Sequence, residues 1–367
     1  MTVENPLLDL HRAAGATLGT YFGCELPARF TNSGAEYRAA RDSVVLADTN
    51  FHAIFRFTGP DRARYLNAIL TSNVRDLAPD QGTIGLLLNP QGHILAEIET
   101  LALGDLIVGV SHASVRESTA ATIEKFIIMD DVVFADESTS VGSLALAGPR
   151  AAEVLQHLSK VDIASLAERT HQEISIGGIT ARLVRRNFGR HAGAELFAPR
   201  EHLPALWKVL AAEVAQAGGG PIGFDAINSL RLEAGVPWFG YDFGESVIPH
   251  EAGLENSHIS YTKGCYTGQE IVERVRSRGQ VNRRRVGLRF DGADLPANGS
   301  RLLSGAAEAG HVTSAAYSFA LKRNIGMGYV RREHSAPGSR LQSEAGDAEV
   351  IELPLDNRQL GLGRALN

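Results

Sequence analysis

The stretch K-G-C-Y-T-G-Q-E-I-V-E-R-V-R-S-R-G-Q-V-N-R-R-R, residues 263–285, divides the chain into two kinds of sequence. Before it, short apolar runs at strand spacing alternate with segments whose apolar residues recur at helical spacing. After it come only short alternating strands, at 286–290, 301–303, 309–314 and 325–330, parted by glycine-rich turns. That change predicts an α+β body followed by an all-β module of about 80 residues, a small barrel. Within the stretch, Thr267 and Glu270 stand in the S/T-x-x-E relation of a capping box, where hydroxyl and carboxylate satisfy the orphan amides of a helix's first turn. Cys265 then lies just outside a helix N-terminus. The partial positive charge there, with Lys263 two residues before and Arg274 one turn further in, favours the thiolate.

Upstream, a strand at 51–58 is followed by a helix opened by Gly59 and Pro60, and by a hairpin, 83–88 and 94–103, around an N-P-Q-G turn. Ser114 reads as the N-cap of a helix over 115–128, with strands at 131–136 and 142–147. The same grammar returns with a helix at 149–158, strands near 173–175, 180–184 and 194–198, and helices at 200–217 and 224–233. Hairpins outnumber strand-helix-strand units, so antiparallel sheets are expected. The resulting division is a first mixed half at 1–147, a second at 148–285 carrying the Cys265 motif, and a barrel at 286–367.

A hydrophobic content of 44% and 367 residues suffice for two or three real cores. The net charge of −6 excludes a generally cationic nucleic-acid or membrane binder. Two distant cysteines, Cys24 and Cys265, make no disulfide framework and cannot supply the four thiolates of a resident iron–sulfur cluster. The opening M-T-V-E-N-P-L-L-D-L lacks a signal peptide's basic flank and apolar core, and no apolar run approaches the ~20 residues of a membrane span. A cytoplasmic protein without membrane contact is expected. Arginines 274, 276, 278, 283, 284 and 285 read as a solvated helix face, or as a local patch for an acidic tail or partner. With few aromatic side chains nearby, direct nucleic-acid binding is not expected.

The block Lys263, Gly264, Cys265, Tyr266, Thr267, Gly268, Gln269 and Glu270, with Arg278 and Gly279 beyond it, resembles the signature of the YgfZ family of folate-binding proteins, relatives of the mitochondrial iron–sulfur assembly factor. The wider chain resembles the glycine-cleavage T-protein superfamily, in T-S-N-V at Thr71, L-N-P-Q-G at Leu88, R-L-E-A-G at Arg231 and G-M-G-Y-V at Gly326. The resemblance implies a three-domain ring of T-protein type around a folate-sized opening, with non-covalent tetrahydrofolate as ligand. It also implies a role in assembling or repairing iron–sulfur clusters, including those of tRNA-modifying enzymes. The partners implied are folate and iron–sulfur assembly proteins or client enzymes.

Single residues carry these implications. Glu195 closes F-G-R-H-A-G-A-E, which half matches the superfamily's Y-T-G-E-x-G-F-E block. Read alone it is a strand-end glutamate; the resemblance makes it the reader of a pterin edge, since a carboxylate accepts two parallel N–H bonds. In that loop Phe188 replaces the family tyrosine, and Arg190 and His191 replace Gly and Glu. Arg231 reads as an ordinary helix salt bridge to Glu233 or Glu251, or, through the resemblance, as a folate ligand. Where superfamily enzymes carry an I-D-D aspartate, this chain has Ala96 and Glu97, a carboxylate displaced by one methylene. Cys265 is either a small buried hydrophobe or a functional thiol, with Lys263 beside it and His250 or His258 as conceivable bases. The leading expectation is a folate-binding accessory protein of iron–sulfur assembly using the Cys265 thiol. Its alternative is a folate-dependent aminomethyltransferase or demethylase using Glu97.

Overall fold

Alternation along strand Ile94–Ala102 sends Ala96 and Ile98 into a buried core, which turns Glu97 and Glu99 to the opposite face. This two-sidedness organises the first part of the protein. The computed structural model describes residues 4–188 and 191–355, in two compact units. Unit 1 comprises residues 1–88, 95–226 and 257–267; unit 2 comprises 89–94, 227–256 and 268–367.

Among the described residues, unit 1 contains a five-stranded sheet in the order Gly82–Leu88, Ile94–Ala102, Ile107–His112, His52–Thr58, Val133–Asp136. Its helix-covered face packs Phe55, Phe57 and Ile98 against Leu66 and Ile69 of helix Arg62–Ile69 and Ile123 of helix Arg116–Phe126. A six-stranded sheet runs His171–Ile176, Ile179–Phe188, His191–Pro199, Val141–Ala147, Val45–Asp48, Gly220–Ile222, with only the last pair parallel. Helices Ala151–Ser159 and Leu203–Gln216 cover it through Val154, Leu155, Leu206 and Leu210, packed on Leu144, Leu146, Leu183 and Leu196. The other faces of the two sheets meet. There Ile54, Leu101 and Val110 from one sheet and Val184 and Phe197 from the other form a separate apolar cluster.

In unit 2 six strands close a barrel in the order Arg283–Phe290, Arg323–Arg331, Ala307–Ser318, Arg301–Ser304, Arg340–Ser343, Gly346–Ile351. Leu288, Phe290, Leu302, Val312, Val330, Leu341 and Val350 fill it. The α+β class with a C-terminal β-barrel is therefore as the sequence predicts, and helix Phe224–Glu233 has the predicted bounds. The last two barrel strands are not visible in the sequence, because R-L-Q-S and G-D-A-E-V-I are short and largely polar. Strand Ile107–His112 also escapes the sequence reading. Among the described residues, no helix is long and apolar enough to cross a membrane.

The capping box at Thr267 and Glu270 does not form. Gly268 is the N-cap of helix Gln269–Arg278, with no side-chain cap, at φ +82°, a left-handed conformation that glycine adopts without strain. Glu270 instead pairs with Arg274 one turn on, at 2.8 Å. The arginine run is not a free patch either. Arg276 pairs with Glu273 at 3.4 Å, Arg283 with Glu251 at 3.2 Å, and Arg285 donates to the Ala252 carbonyl at 2.8 Å.

Candidate functional site

The face of the five-stranded sheet that meets the other sheet is apolar around Val110 and charged around Glu97. Glu97 is half-buried, and each of its carboxylate oxygens meets an imidazole: Oε1 lies 2.9 Å from His258 Nε2 and Oε2 lies 3.2 Å from His112 Nε2. His112 ends the adjacent strand, whose Ser111 hydroxyl donates to the Glu97 carbonyl at 2.8 Å. His258 comes from the far segment 257–267, and its Nδ1 meets Ser257 Oγ at 2.7 Å. That segment is held by fully buried Thr71, whose hydroxyl donates to the His258 carbonyl and whose own carbonyl accepts from Ser260 N at 2.9 Å. The T-S-N-V signal at Thr71 thus marks a structural tie. Burial alone pushes the Glu97 carboxyl up, but the hydrogen bonds and charges of His112 and His258 outweigh it and hold it at about 2.

A second carboxylate network lies in the same unit. Glu195 Oε1 meets His52 Nε2 at 2.7 Å and accepts from Ser143 Oγ at 3.0 Å, while Oε2 accepts from Arg186 Nε at 2.6 Å. Arg186 also reaches Glu99 at 2.6 Å. Burial raises the Glu195 carboxyl, yet His52 and Arg186 together hold it far below the usual carboxylate range. Aromatic rings stand beside both networks. Phe51 stacks on Phe22 at 4.4 Å and lies 4.3 Å from the His52 ring, and Phe22 lies 5.4 Å from the ring of His112. The Phe188 ring lies over Gly193, where a Cβ would meet the Leu146 carbonyl at 2.3 Å. Arg190 lies outside the described residues, and His191 pairs with Phe188 across the hairpin.

The remaining predicted residues sit as follows. Lys263 is buried, and its ammonium donates to the carbonyls of Asn67, Leu70 and Ser72, so its three protons neutralise the C-terminus of helix Arg62–Ile69. It does not activate Cys265 by hydrogen bonding. Its charge also lies 5.0 Å from the ring of Tyr266, and burial pushes its pKa down to about 8. Cys265 is exposed and Cys24 buried. Both ring nitrogens of His258 are engaged, which removes it as a base for Cys265. In unit 2, Arg231 pairs with Asp242 rather than with Glu233 or Glu251, and stacks over Trp238 at 4.5 Å. Its Nη2 is buried without a hydrogen-bond partner among the described residues. Among the described residues, no cluster of His, Cys, Asp and Glu is arranged to hold a metal ion. The sequence reading named Glu97 and Glu195 but not His52, His112 and Arg186, which the fold brings to them; nothing in the sequence places these three near a carboxylate.

The GCVT N-terminal domain family matches residues 7–259, and the glycine cleavage T-protein C-terminal barrel domain family matches residues 283–356. An aminomethyltransferase of Saccharopolyspora erythraea is 29% identical over 361 residues, 97% of this chain and 98% of that protein. One of Rubrobacter xylanophilus is 30% identical over 357 residues, 97% of this chain and 95% of its own. The crystal structure of the glycine cleavage system aminomethyltransferase T from Bartonella henselae matches with a TM-score of 0.88 at 23% identity, covering 97% of this chain and 98% of that one, which shows a shared fold. Relatives named aminomethyltransferase along nearly the whole chain overturn the expected YgfZ-type role in iron–sulfur assembly and tRNA modification, and with it the iron–sulfur partners. The eight-residue block around Cys265 carried that reading, and it is outweighed by matches that run from end to end. The aminomethyltransferases of this family bind tetrahydrofolate non-covalently. With both its N-terminal part and its barrel matched, the chain belongs to the glycine cleavage T-protein family.

Proposed function

We propose that this protein is a tetrahydrofolate-dependent aminomethyltransferase in which Glu97 is the carboxylate at the reacting centre. The observation that carries this reading is the placement of Glu97: a half-buried, ionised carboxylate on a sheet face, fixed at both oxygens by imidazoles, one of which lies beside the Phe22 ring. The full-length relatives named aminomethyltransferase support the same reaction class.

Unit 1 also offers what a pterin needs. His52 Nδ1 is a buried nitrogen without a partner among the described residues, Glu195 Oε2 has one donor and a spare lone pair, and Phe51, Phe22 and Phe188 provide apolar ring faces. In this reading Glu195, with Phe188 near it, holds the ligand. Bound tetrahydrofolate supplies the nucleophilic nitrogen that takes up the one-carbon unit. Glu97 stays ionised throughout the neutral range, so it orients an N–H and stabilises positive charge that grows as the donor's amine departs. With a pKa of about 2 it does not retain a proton. Lys263, with all three protons committed to carbonyls, and Cys265 carry no step.

The test is formation of methylene-tetrahydrofolate from an aminomethyl donor by native protein and Glu97→Gln. A fall of about a hundredfold or more is expected, with tetrahydrofolate affinity by calorimetry unchanged. Native turnover by Glu97→Gln removes Glu97 from the reaction. Absence of saturable tetrahydrofolate binding by the native protein overturns the folate reading itself.

A further inference from the structure

A glutamate side chain has three rotatable bonds, and one that leaves a strand with its carboxylate half-exposed samples several positions. Glu97 is constrained from two sides that the chain brings together independently. His112 is offered by the neighbouring strand, 15 residues away, and His258 by a segment 161 residues away. Each takes a different oxygen. Both imidazoles are themselves fixed: His258 through Nδ1 to Ser257 and through its carbonyl to Thr71, and His112 beside the stacked pair of Phe22 and Phe51, whose centroids lie 5.4 and 6.0 Å from its own. A packed strand needs neither arrangement, since Ala96 and Ile98 on its other face already anchor it.

We propose that His258 and His112 are positioning residues that clamp the Glu97 carboxylate, one imidazole to each oxygen, so that its place is set to a fraction of an ångström. The proposal rests on the assignment of Glu97 to the reacting centre for its functional meaning, but the clamp itself is read without substrate. Other charged groups near Glu97 are Glu99, two residues along the same strand face and paired with Arg186 and Arg169, and His52, whose ring is 6.3 Å from that of His112 and whose Nε2 is committed to Glu195. Among the described residues, none of these has a hydrogen bond to Glu97. The clamp therefore predicts that removing the two imidazoles releases this carboxylate alone.

The experiment uses full-length protein labelled with 13C at glutamate Cδ, with the Glu97 signal assigned by its loss in Glu97→Gln. In native protein that signal should stay at the carboxylate position from pH 7 to 4. In the His112→Phe, His258→Leu double variant it should titrate inside that range, because burial then acts without its opposing donors. His258→Gln, which keeps an N–H, should restore most of the native behaviour. In turnover, His258→Leu should lower kcat at least tenfold with KM for tetrahydrofolate unchanged, and His258→Gln should recover most of it. Glu97→Asp, which keeps the charge and draws the carboxylate back by roughly 1 Å, should lose about a hundredfold. A Glu97 signal unchanged in the double variant, or native turnover in Glu97→Asp where Glu97→Gln has lost it, overturns the clamp. If Glu97→Gln retains turnover while the 13C shift appears, the clamp stands and the reaction assigned to Glu97 falls.

Discussion

Thr71 Oγ1 donates to the His258 carbonyl at 2.6 Å, across 187 residues of chain, and accepts from Leu86 N at 2.8 Å. One hydroxyl thus ties the end of a strand and a distant segment to the same point. Thr71→Val keeps the shape and leaves a buried N–H and a buried carbonyl unpaired. It should cost about 3 kcal/mol in urea unfolding and lower kcat through the displaced His258, and Thr71→Ser should recover most of both.

The two carboxylate networks make the fold acid-sensitive. Glu97 and Glu195 are held below the ordinary value of 4.5, so each contributes stability that is fully present above pH 4.5 and is lost as pH falls toward its folded value, about 2 for Glu97. For Glu97 that amounts to about 3 kcal/mol. Thermal melts of the native protein should therefore show Tm falling below pH 5. Glu195→Gln should start lower at pH 7 and fall less steeply.

Lys263 is predicted to matter for stability rather than chemistry. Lys263→Met leaves the carbonyls of Asn67, Leu70 and Ser72 without their shared donor, and should cost about 3 kcal/mol in chemical denaturation while tetrahydrofolate affinity in the surviving folded fraction is unchanged. Cys265→Ala, at an exposed position, should stay within about 0.5 kcal/mol of native stability and keep full turnover.

In unit 2, Asp242 accepts from Arg231, from Trp238 N at 2.9 Å, from Thr313 Oγ1 at 2.6 Å and from Ser314 Oγ at 2.5 Å. Asp242→Ala strands the buried Arg231 guanidinium and should cost about 3 to 5 kcal/mol, read as an earlier transition in calorimetry. A loss below about 1 kcal/mol would mean that Arg231 finds another partner.

Much of the architecture can be read from local pattern. The alternation in 94–102 and 286–290 fixes which side chains face a core, and helix 224–233 is bounded correctly by Gly220, Pro221 and the glycine after Ala234. The site is legible only in part. Glu97 and Glu195 stand out as carboxylates in apolar strands, whereas their donors are recognised only once the chain has folded: Arg186 sits in L-V-R-R-N, an unremarkable edge-like sequence, and His258 is far away in the chain. Lys263 shows the converse, since a lysine beside a cysteine suggests chemistry until three carbonyls are found around its nitrogen.

The order of residues along the chain also sets an order in time. Unit 1 takes its last piece from residues 257–267, after the chain has already begun unit 2. During synthesis at ~5–20 residues per second, Glu97 leaves the ribosome roughly 8 to 32 s before His258, 161 residues later. By the end of that interval every strand of the first two sheets has been made, but neither the Thr71 tie nor the His258 contact with the carboxylate exists. A truncated product of translation stopped before residue 257 therefore carries Glu97 without His258, and under the proposed function it is expected to turn nothing over however well its strands have paired.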